Sequence, residues 1–497
     1  MSVLELVVLG PVVAAALLAV VPVTDRAARW VWLAVTLADL ALLAALALAY
    51  RTPPAGGLAF ERQATWIPSA GVGYHVGVDG LSLPLLLLTG VVFAACAVHA
   101  LREQRRPRAQ AALFLFLQTA CLGVFVAQDL VLFFVFFDLT IVGMWFSIAG
   151  WGHGDHRRSA LQFFLYTFLG SLVLLAGFIG VYVAADPHTF DIPTLVAADP
   201  LGDHPVGGAV VLGLVLLGLA IKTPLVPVHT WLPPAHTDAP AIGSAVLAAV
   251  MLKLGTYGFV RVAMPVLPDA WRAWAWVVVA LGVVSVLYGG LVALAQTDVK
   301  RLVAYTSVTH MGYVAVGLGA AGLIDRGDPV LRQVATTGAV TQMVSHGLLA
   351  GAMFLLAGAL HDRRGSYALA DYGGLARPAP RFAALFGVAA FGSLGLPGFS
   401  GFVAEFQVLS GSIGTTAWAA AAVPGILLTA VLLVRATGSL LTGPTRGRAV
   451  GFTDLRPHEA VPVAGLLALS VLVGVLPGPL LAWVTPATES LVALVGG

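Results

Sequence analysis

The chain has 497 residues, 59% of them hydrophobic and only 10% charged. Soluble domains carry about a quarter of their residues as charges, so that class is excluded and an all-α integral membrane protein is expected. The net charge of +2 without a basic stripe excludes a nucleic-acid footprint, and Cys96 and Cys121, each alone in an apolar stretch, exclude a Cys-x-x-Cys pair, a haem attachment or an iron–sulfur ligand set in this chain.

The opening MSVLELVVLGPVVAAALLAVVP lacks a positive first region, carries Glu5 near its front and has Arg26 and Arg29 behind it, so it reads as a retained first helix rather than a cleaved signal. Apolar runs long enough to cross a hydrocarbon core roughly 30 Å thick give about fourteen spans. They begin near residues 3, 30, 79, 110, 129, 160, 207, 240, 272, 302, 333, 381, 416 and 461. With the N-terminus outward, the inner loops collect 17 cations, from Arg26 through Lys300 and Arg301 to Arg456. The outer side takes Arg51, Arg62, Arg261, Arg272, Arg326 and Arg332, and the remaining cations are Lys222, Lys253 and Arg435. That bias supports fourteen spans with both termini outside. The outward segment from Ala184 to Pro205 carries Asp186, Asp191, Asp199 and Asp203 without a cation, as an outer loop can. The chain holds 23 arginines but three lysines, a bias that suggests a GC-rich bacterial genome.

Ionisable residues at lipid depth cost about 2.5–3.5 kcal/mol each on insertion scales and mark ion or proton pathways by default. In chain order they begin with Asp39 in the second span, read as one member of a structural pair, and Asp138 in VLFFVFFDLTIVGMWF. Lys222 precedes Thr223, Pro224 and Pro227, which break its helix. His229 and His236 border that break and read as holding the loop. Lys253 lies in GSAVLAAVMLKLGTYGF, and His310 and His346 sit on later spans, where a neutral imidazole can pass a proton between its nitrogens. Gly317 to Gly322 match Gly-x-Gly-x-x-Gly but close an apolar helix, so they form no nucleotide site. Glu405 follows Gly395, Pro397, Gly398 and Gly401, a second break. Arg435, in the thirteenth span, either joins the pathway or anchors near the inner face.

Broken helices at matching places in two halves point to a transport site. Here helices 4–8 and 9–13 form such halves, with breaks in helices 7 and 12. The expected division is a single membrane domain 1–497, comprising N-terminal helices 1–3 (1–108), a first half 109–265, a second half 270–442 and a C-terminal helix 455–497.

The motifs FFVFFDL, AIKTPLVPVHTWLPPAHTDAP, MLKLGTYG, QTDVKRLVAYTSVTHMGYV, QMVSHGLLAGAMFLLAG and GLPGFSGFVAEF together resemble the antiporter-like subunits of proton-pumping NADH:quinone oxidoreductase, respiratory complex I. The likeness runs from about Val78 to the closing DLRPHEAVPVAGLLALSVLVGVLPGPLL. Glutamate on helix 12, Glu405, is similar to the M-type members; L-type and N-type relatives usually have lysine there. The resemblance implies that Asp138 and Lys222 pair, that Lys253 is the central relay, that His310 and His346 are further relay candidates, and that Glu405 is the outward terminal group. The family usually has glutamate where Asp138 stands, tryptophan at Phe137, and Asp and Glu where this chain has Pro234 and Asp238. No cofactor or metal is implied in this chain. NADH, FMN, iron–sulfur clusters and quinone belong to companion subunits, with L-type and N-type neighbours as partners in the bacterial cell membrane. The same motifs occur in multi-subunit Mrp-type cation/proton antiporters and membrane-bound hydrogenases. A reading of another class is a structural scaffold whose buried charges only hold helices.

Overall fold

The computed structural model describes residues 2–103, 105–324 and 328–496; Arg326, counted above on the less basic side, lies outside them. The first helices are α1 (Val3–Val20) and α2 (Asp25–Ala49), started by a Ser2/Glu5 capping box and by Thr24 respectively. A hairpin follows, β1 (Ala59–Ile67) antiparallel to β2 (Val72–Val78). Next come α3 (Ser82–His99), α4 (Pro107–Val126), α5 (Leu130–Trp151), α6 (His156–Ala184) and the short α7 (Ile192–Ala198). The seventh span is in two pieces, α8 (Pro205–Lys222) and α9 (Leu232–Asp238). Beyond it lie α10 (Ala241–Val266), α11 (Pro268–Ala295), α12 (Val299–Ala320) and α13 (Pro329–Arg364). The twelfth span is likewise split, into α14 (Pro380–Ser393) and α15 (Ser400–Thr415). The chain closes with α16 (Ala417–Leu441), α17 (Pro457–Val475) and α18 (Gly478–Gly496).

Among the described residues, 13 helices are long and apolar enough to cross a membrane. One of them, α18, lies across helix ends. Its Trp483 carbonyl abuts Gly80, Gln333 donates to its Thr485 carbonyl at 3.4 Å, Thr488 meets Thr337 at 2.7 Å, and Arg272 donates to its Val495 carbonyl at 3.3 Å. These contacts gather the starts of α3, α11 and α13, which share one face of the bundle. Setting α18 aside and adding α12 and the split α14–α15, which miss that test by polarity and by shortness, restores the fourteen expected crossings. Glu5 reaches Arg62 of the hairpin at 3.5 Å, so both chain ends sit on the hairpin face. The opposite face holds the arginine-rich loops, knitted together by Arg105 to the Gly152 carbonyl and Arg363 to Glu459.

α10 and α13 form the centre: their most apolar 18-residue windows are 100% buried, against 33% for α1 and 28% for α2. With 36 residues, α13 is about 54 Å long at 1.5 Å per residue. Such a helix gives the interior a continuous spine, and side chains at three- or four-residue spacing along it share one face.

The hairpin, absent from the sequence reading, docks through His75. Its Nε2 meets Glu61 at 2.8 Å and its Nδ1 meets Asp191 at 2.5 Å. Burial alone would lower the pKa of His75, but hydrogen bonds and charge from Asp191 and Glu61 outweigh it and raise the value. A histidine with a raised folded-state pKa gives stability that is complete below its unfolded value, about 6.5, and lost as pH rises through the folded one. Docking of the hairpin is therefore expected to loosen as pH rises through that raised value. The readout is faster amide exchange over 72–78, corrected for intrinsic rates, and His75→Asn should remove the dependence. A wild-type profile flat from about pH 6 to about pH 9 would count against it.

Candidate functional site

The first break follows directly from Thr223-Pro224 and Pro227, where proline removes donors and clashes with the preceding turn. Its free backbone groups are satisfied from neighbours: Ser285 accepts from the Val226 amide at 2.9 Å, and the Trp231 indole donates to the Ile221 carbonyl at 2.9 Å. Irregular backbone survives at this depth only with such partners. Helix α10 packs on the break through Gly255, where a Cβ would lie 2.8 Å from the Thr223 nitrogen and 3.0 Å from the Leu219 carbonyl oxygen. Only glycine admits that approach.

Lys222 ends α8, 2% exposed. Its ammonium donates to the Thr140 hydroxyl at 2.9 Å and stands 4.6 Å from the centre of the Phe137 ring, a cation–π contact. The ion pair with Asp138 implied by the family resemblance is absent: no oxygen of Asp138 comes within 4 Å of the ammonium among the described residues. Helix geometry gives the reason. At 3.6 residues per turn Asp138 lies about 100° round α5 from Phe137 and about 160° from Thr140, so the residues that hold Lys222 turn Asp138 towards Ser171 of α6. The short aspartate does not reach back, and its Oδ1 is buried without a hydrogen-bond partner among the described residues.

Lys253 is fully buried on α10. The helix widens into a π turn over Leu247–Met251, a local form common at functional sites, and the Ala248 carbonyl of that turn accepts from the lysine at 2.6 Å. The ammonium also meets Nδ1 of His346 on α13 at 2.5 Å. His346 lies against His310 of α12, ring centres 5.3 Å apart, and Nε2 of His310 is 3.5 Å from Glu405 on α15. Among the described residues, Nε2 of His346 and Nδ1 of His310 have no hydrogen-bond partner. A cavity of about 10 Å³ lined by His310, Gln342, Ser345, His346 and Glu405 lies among them, enough for about one water.

The second break brings backbone to Glu405. Gly395 and Gly398 adopt φ of 81° and 99°, which glycine alone takes readily, and a Cβ on Gly395 would stand 2.7 Å from Oε2 of Glu405. The glycines of GLPGFSGF thus turn the chain and leave room beside the carboxylate.

The structure joins Lys253, His346, His310 and Glu405 directly, leaves Lys222 on the neighbouring break, and sets Asp138 aside. Three other residues that the sequence singles out have plain roles. Asp39 accepts from the Gln118 amide at 2.5 Å, so its partner is a neutral side chain tying α2 to α4. Arg435 is exposed and donates to the Leu294 carbonyl at 2.9 Å, an anchor on the end of α11. His229 lies edge-on to Tyr288, ring centres 5.2 Å apart. Two further residues join the site. His236, which the sequence places as holding a loop, is fully buried and stacked on Phe354 with ring centres 4.3 Å apart, and among the described residues neither ring nitrogen has a hydrogen-bond partner. Lys300, counted there as a loop cation, is fully buried. The only available signal was its place as one of three lysines among 23 arginines.

Comparison with known proteins agrees with this architecture. The family described as NADH:quinone oxidoreductase/Mrp antiporter, TM, matches residues 127–432. NADH-quinone oxidoreductase subunit M of Rhodobacter capsulatus is 37% identical over 99% of this chain and 96% of its own. NAD(P)H-quinone oxidoreductase chain 4 2 of Thermosynechococcus vestitus is 35% identical over 95% and 89%. A chain of respiratory complex I from Thermus thermophilus superposes with a TM-score of 0.88 at 30% identity, covering 99% of this chain and 100% of that one. A chain of the Mrp complex from Dietzia sp. DQ12-45-1b superposes with a TM-score of 0.84 at 23% identity, covering 99% of each, a likeness of fold alone. With a matched segment spanning both breaks and relatives aligned end to end, the chain belongs to the M-type antiporter-like subunits of the NADH:quinone oxidoreductase/Mrp antiporter family.

Proposed function

We propose that this chain moves protons across the bacterial cell membrane as a subunit of an NADH:quinone oxidoreductase, from the arginine-rich face, taken as cytoplasmic, to the hairpin face. Lys222 gates the first break, Lys253, His346 and His310 relay the proton, and Glu405 releases it. Quinone reduction in companion subunits, which hold the NADH, FMN, iron–sulfur and quinone sites, drives the cycle, with L-type and N-type neighbours beside this chain. The observation that carries this reading is the run of contacts from Lys253 through His346 and His310 to Glu405, with unbonded imidazole nitrogens along it.

Asp138 and Lys222 standing apart describes one setting of the switch. Bringing two opposite charges to about 4 Å gains roughly 4 kcal/mol at an effective dielectric near 20. Moving one charge against about 150 mV takes roughly 3.5 kcal/mol. Closing and opening the pair is therefore of the right size to hold and release a proton, with little to spare.

The complete complex carrying Lys222→Ala or Glu405→Ala, in proteoliposomes, should assemble yet lose pumping. A normal proton-to-electron ratio in both variants would reject the assigned roles. Sodium-dependent exchange without quinone reductase activity would assign the Mrp-type function instead.

A further inference from the structure

The relay begins at a fully buried lysine and needs a supply of protons from the arginine-rich face. Lys300 lies between the two. Its ammonium donates to the carbonyls of Ala239 at 2.5 Å and Thr237 at 3.3 Å and to the Tyr367 hydroxyl at 3.3 Å. Asp298, Asp238 and Asp362 lie near it from three segments, but none makes an ion pair with it among the described residues. A lysine kept only for structure at such burial is normally paired with a carboxylate, because an unpaired buried charge is costly.

From Tyr367 a hydrogen-bonded path leads outward. The hydroxyl meets Nε2 of His153 at 2.8 Å, and Nδ1 of His153 meets the Asp238 carbonyl at 2.9 Å. Because a carbonyl only accepts, Nδ1 carries the proton and Nε2 is the acceptor for the tyrosine. His361 lies against His153 with ring centres 4.1 Å apart. Both histidines are partly exposed, Tyr367 is buried and Lys300 fully so, which grades the path from surface to interior. Burial first, then the charge of Lys300, holds the pKa of His153 down at about 3. Backbone bonds from Val299 to the Tyr367 carbonyl and from Leu369 to the Thr297 carbonyl fix the tyrosine loop on the start of α12. Inward, Lys300 grips the carbonyl next to His236, whose charge interactions are with Lys300 and Lys253.

Building on the relay reading above, we infer that His153, Tyr367 and Lys300 form the proton-uptake site of this chain on its arginine-rich face, delivering through His236 to Lys253. In the step, with Lys300 neutral, the Tyr367 hydroxyl turns from Nε2 of His153 to Nζ of the lysine, and the freed lone pair of Nε2 takes a proton from water. That N–H bond then breaks as the Tyr367 oxygen gains the proton, and the former hydroxyl bond breaks as neutral Lys300 gains it at Nζ. No electron moves. Lys300 is ready again once its proton has passed to His236.

The test uses the complete complex in oriented proteoliposomes, measuring protons pumped per NADH oxidised against pH on the arginine-rich face. Lys300→Arg keeps a cation and its donors but cannot release a proton, since arginine stays charged above pH 12. It should assemble and cut pumping roughly 10²-fold. Tyr367→Phe, which removes the oxygen that passes the proton from His153 to Lys300, should cut pumping by a similar factor and shift the alkaline fall of the remaining rate by about one pH unit to lower pH. Wild-type pumping in Lys300→Arg makes the lysine a structural cation and overturns the inference. If that variant fails to assemble, an unchanged pH profile in Tyr367→Phe overturns it. Normal pumping in Glu405→Ala rejects the relay itself, whereas its loss together with normal Lys300→Arg rejects only the uptake site.

Discussion

Replacing Lys253 by methionine is expected to stop proton transfer through this chain while leaving the fold in place. The lysine is wholly inside α10, and among the described residues its ammonium hydrogen-bonds only to the Ala248 carbonyl and Nδ1 of His346. Methionine has nearly the same length and fills the same space, so α10 and α13 keep their packing. What disappears is the one group on α10 that can hand a proton to His346. A positioned proton carrier contributes about 10²–10⁴-fold to the step it serves, so pumping by the reconstituted complex should fall by at least that lower factor. Quinone reduction should slow with it where the two are coupled. Lys253→Met assembled in normal amount with an unaltered proton-to-electron ratio would return this lysine to a purely structural role.

Arg261→Ala is expected to produce the largest loss of stability on the hairpin face. The guanidinium reaches Oδ2 of Asp79 at 2.5 Å and the Tyr257 hydroxyl at 2.8 Å, and that hydroxyl donates to the Phe125 carbonyl at 2.9 Å. Asp79 also accepts from the Leu81 and Ser82 amides, both at 3.0 Å, so the cluster clasps α3, α4 and α10. Burial pushes the Asp79 carboxyl up, but the Arg261 charge and the amide bonds outweigh it and hold it below the usual range. Removing the arginine strands a largely buried carboxylate, at a cost of up to roughly 3–5 kcal/mol. The measurement is the thermal unfolding midpoint in detergent with the yield of assembled protein. A group with a depressed pKa stabilises above its unfolded value and loses that contribution as pH falls. The gap between wild type and variant should therefore narrow under acid, and Asp79→Asn in the Arg261→Ala background should recover part of the loss. An unshifted midpoint in the single variant would contradict the clasp.

The glycines and prolines of this chain were legible because their effect is local. Thr223-Pro224 and the GLPGFSGF run break helices whatever surrounds them, and both breaks stand where the sequence places them. Arg435 shows the limit: its sequence position left two roles open, and only the Leu294 carbonyl across the bundle decides for an anchor. The hairpin leaves little trace in the sequence, since a nine-residue strand and a seven-residue one are brief beside the long apolar runs, and its docking residue His75 finds partners 14 and 116 residues away.

Composition and the spacing of apolar runs determined the membrane class, the fourteen crossings and the few ionisable groups at depth, because the bilayer imposes length and polarity on every segment one at a time. Which of those groups meet was decided by packing. The rotation of α5 that parts Asp138 from Lys222, the π turn that offers a carbonyl to Lys253, and the burial of Lys300 and His236 arise where helices distant in sequence press together. A side chain's partners depend on which way its helix is turned at that contact, and hydropathy along one chain carries no record of it.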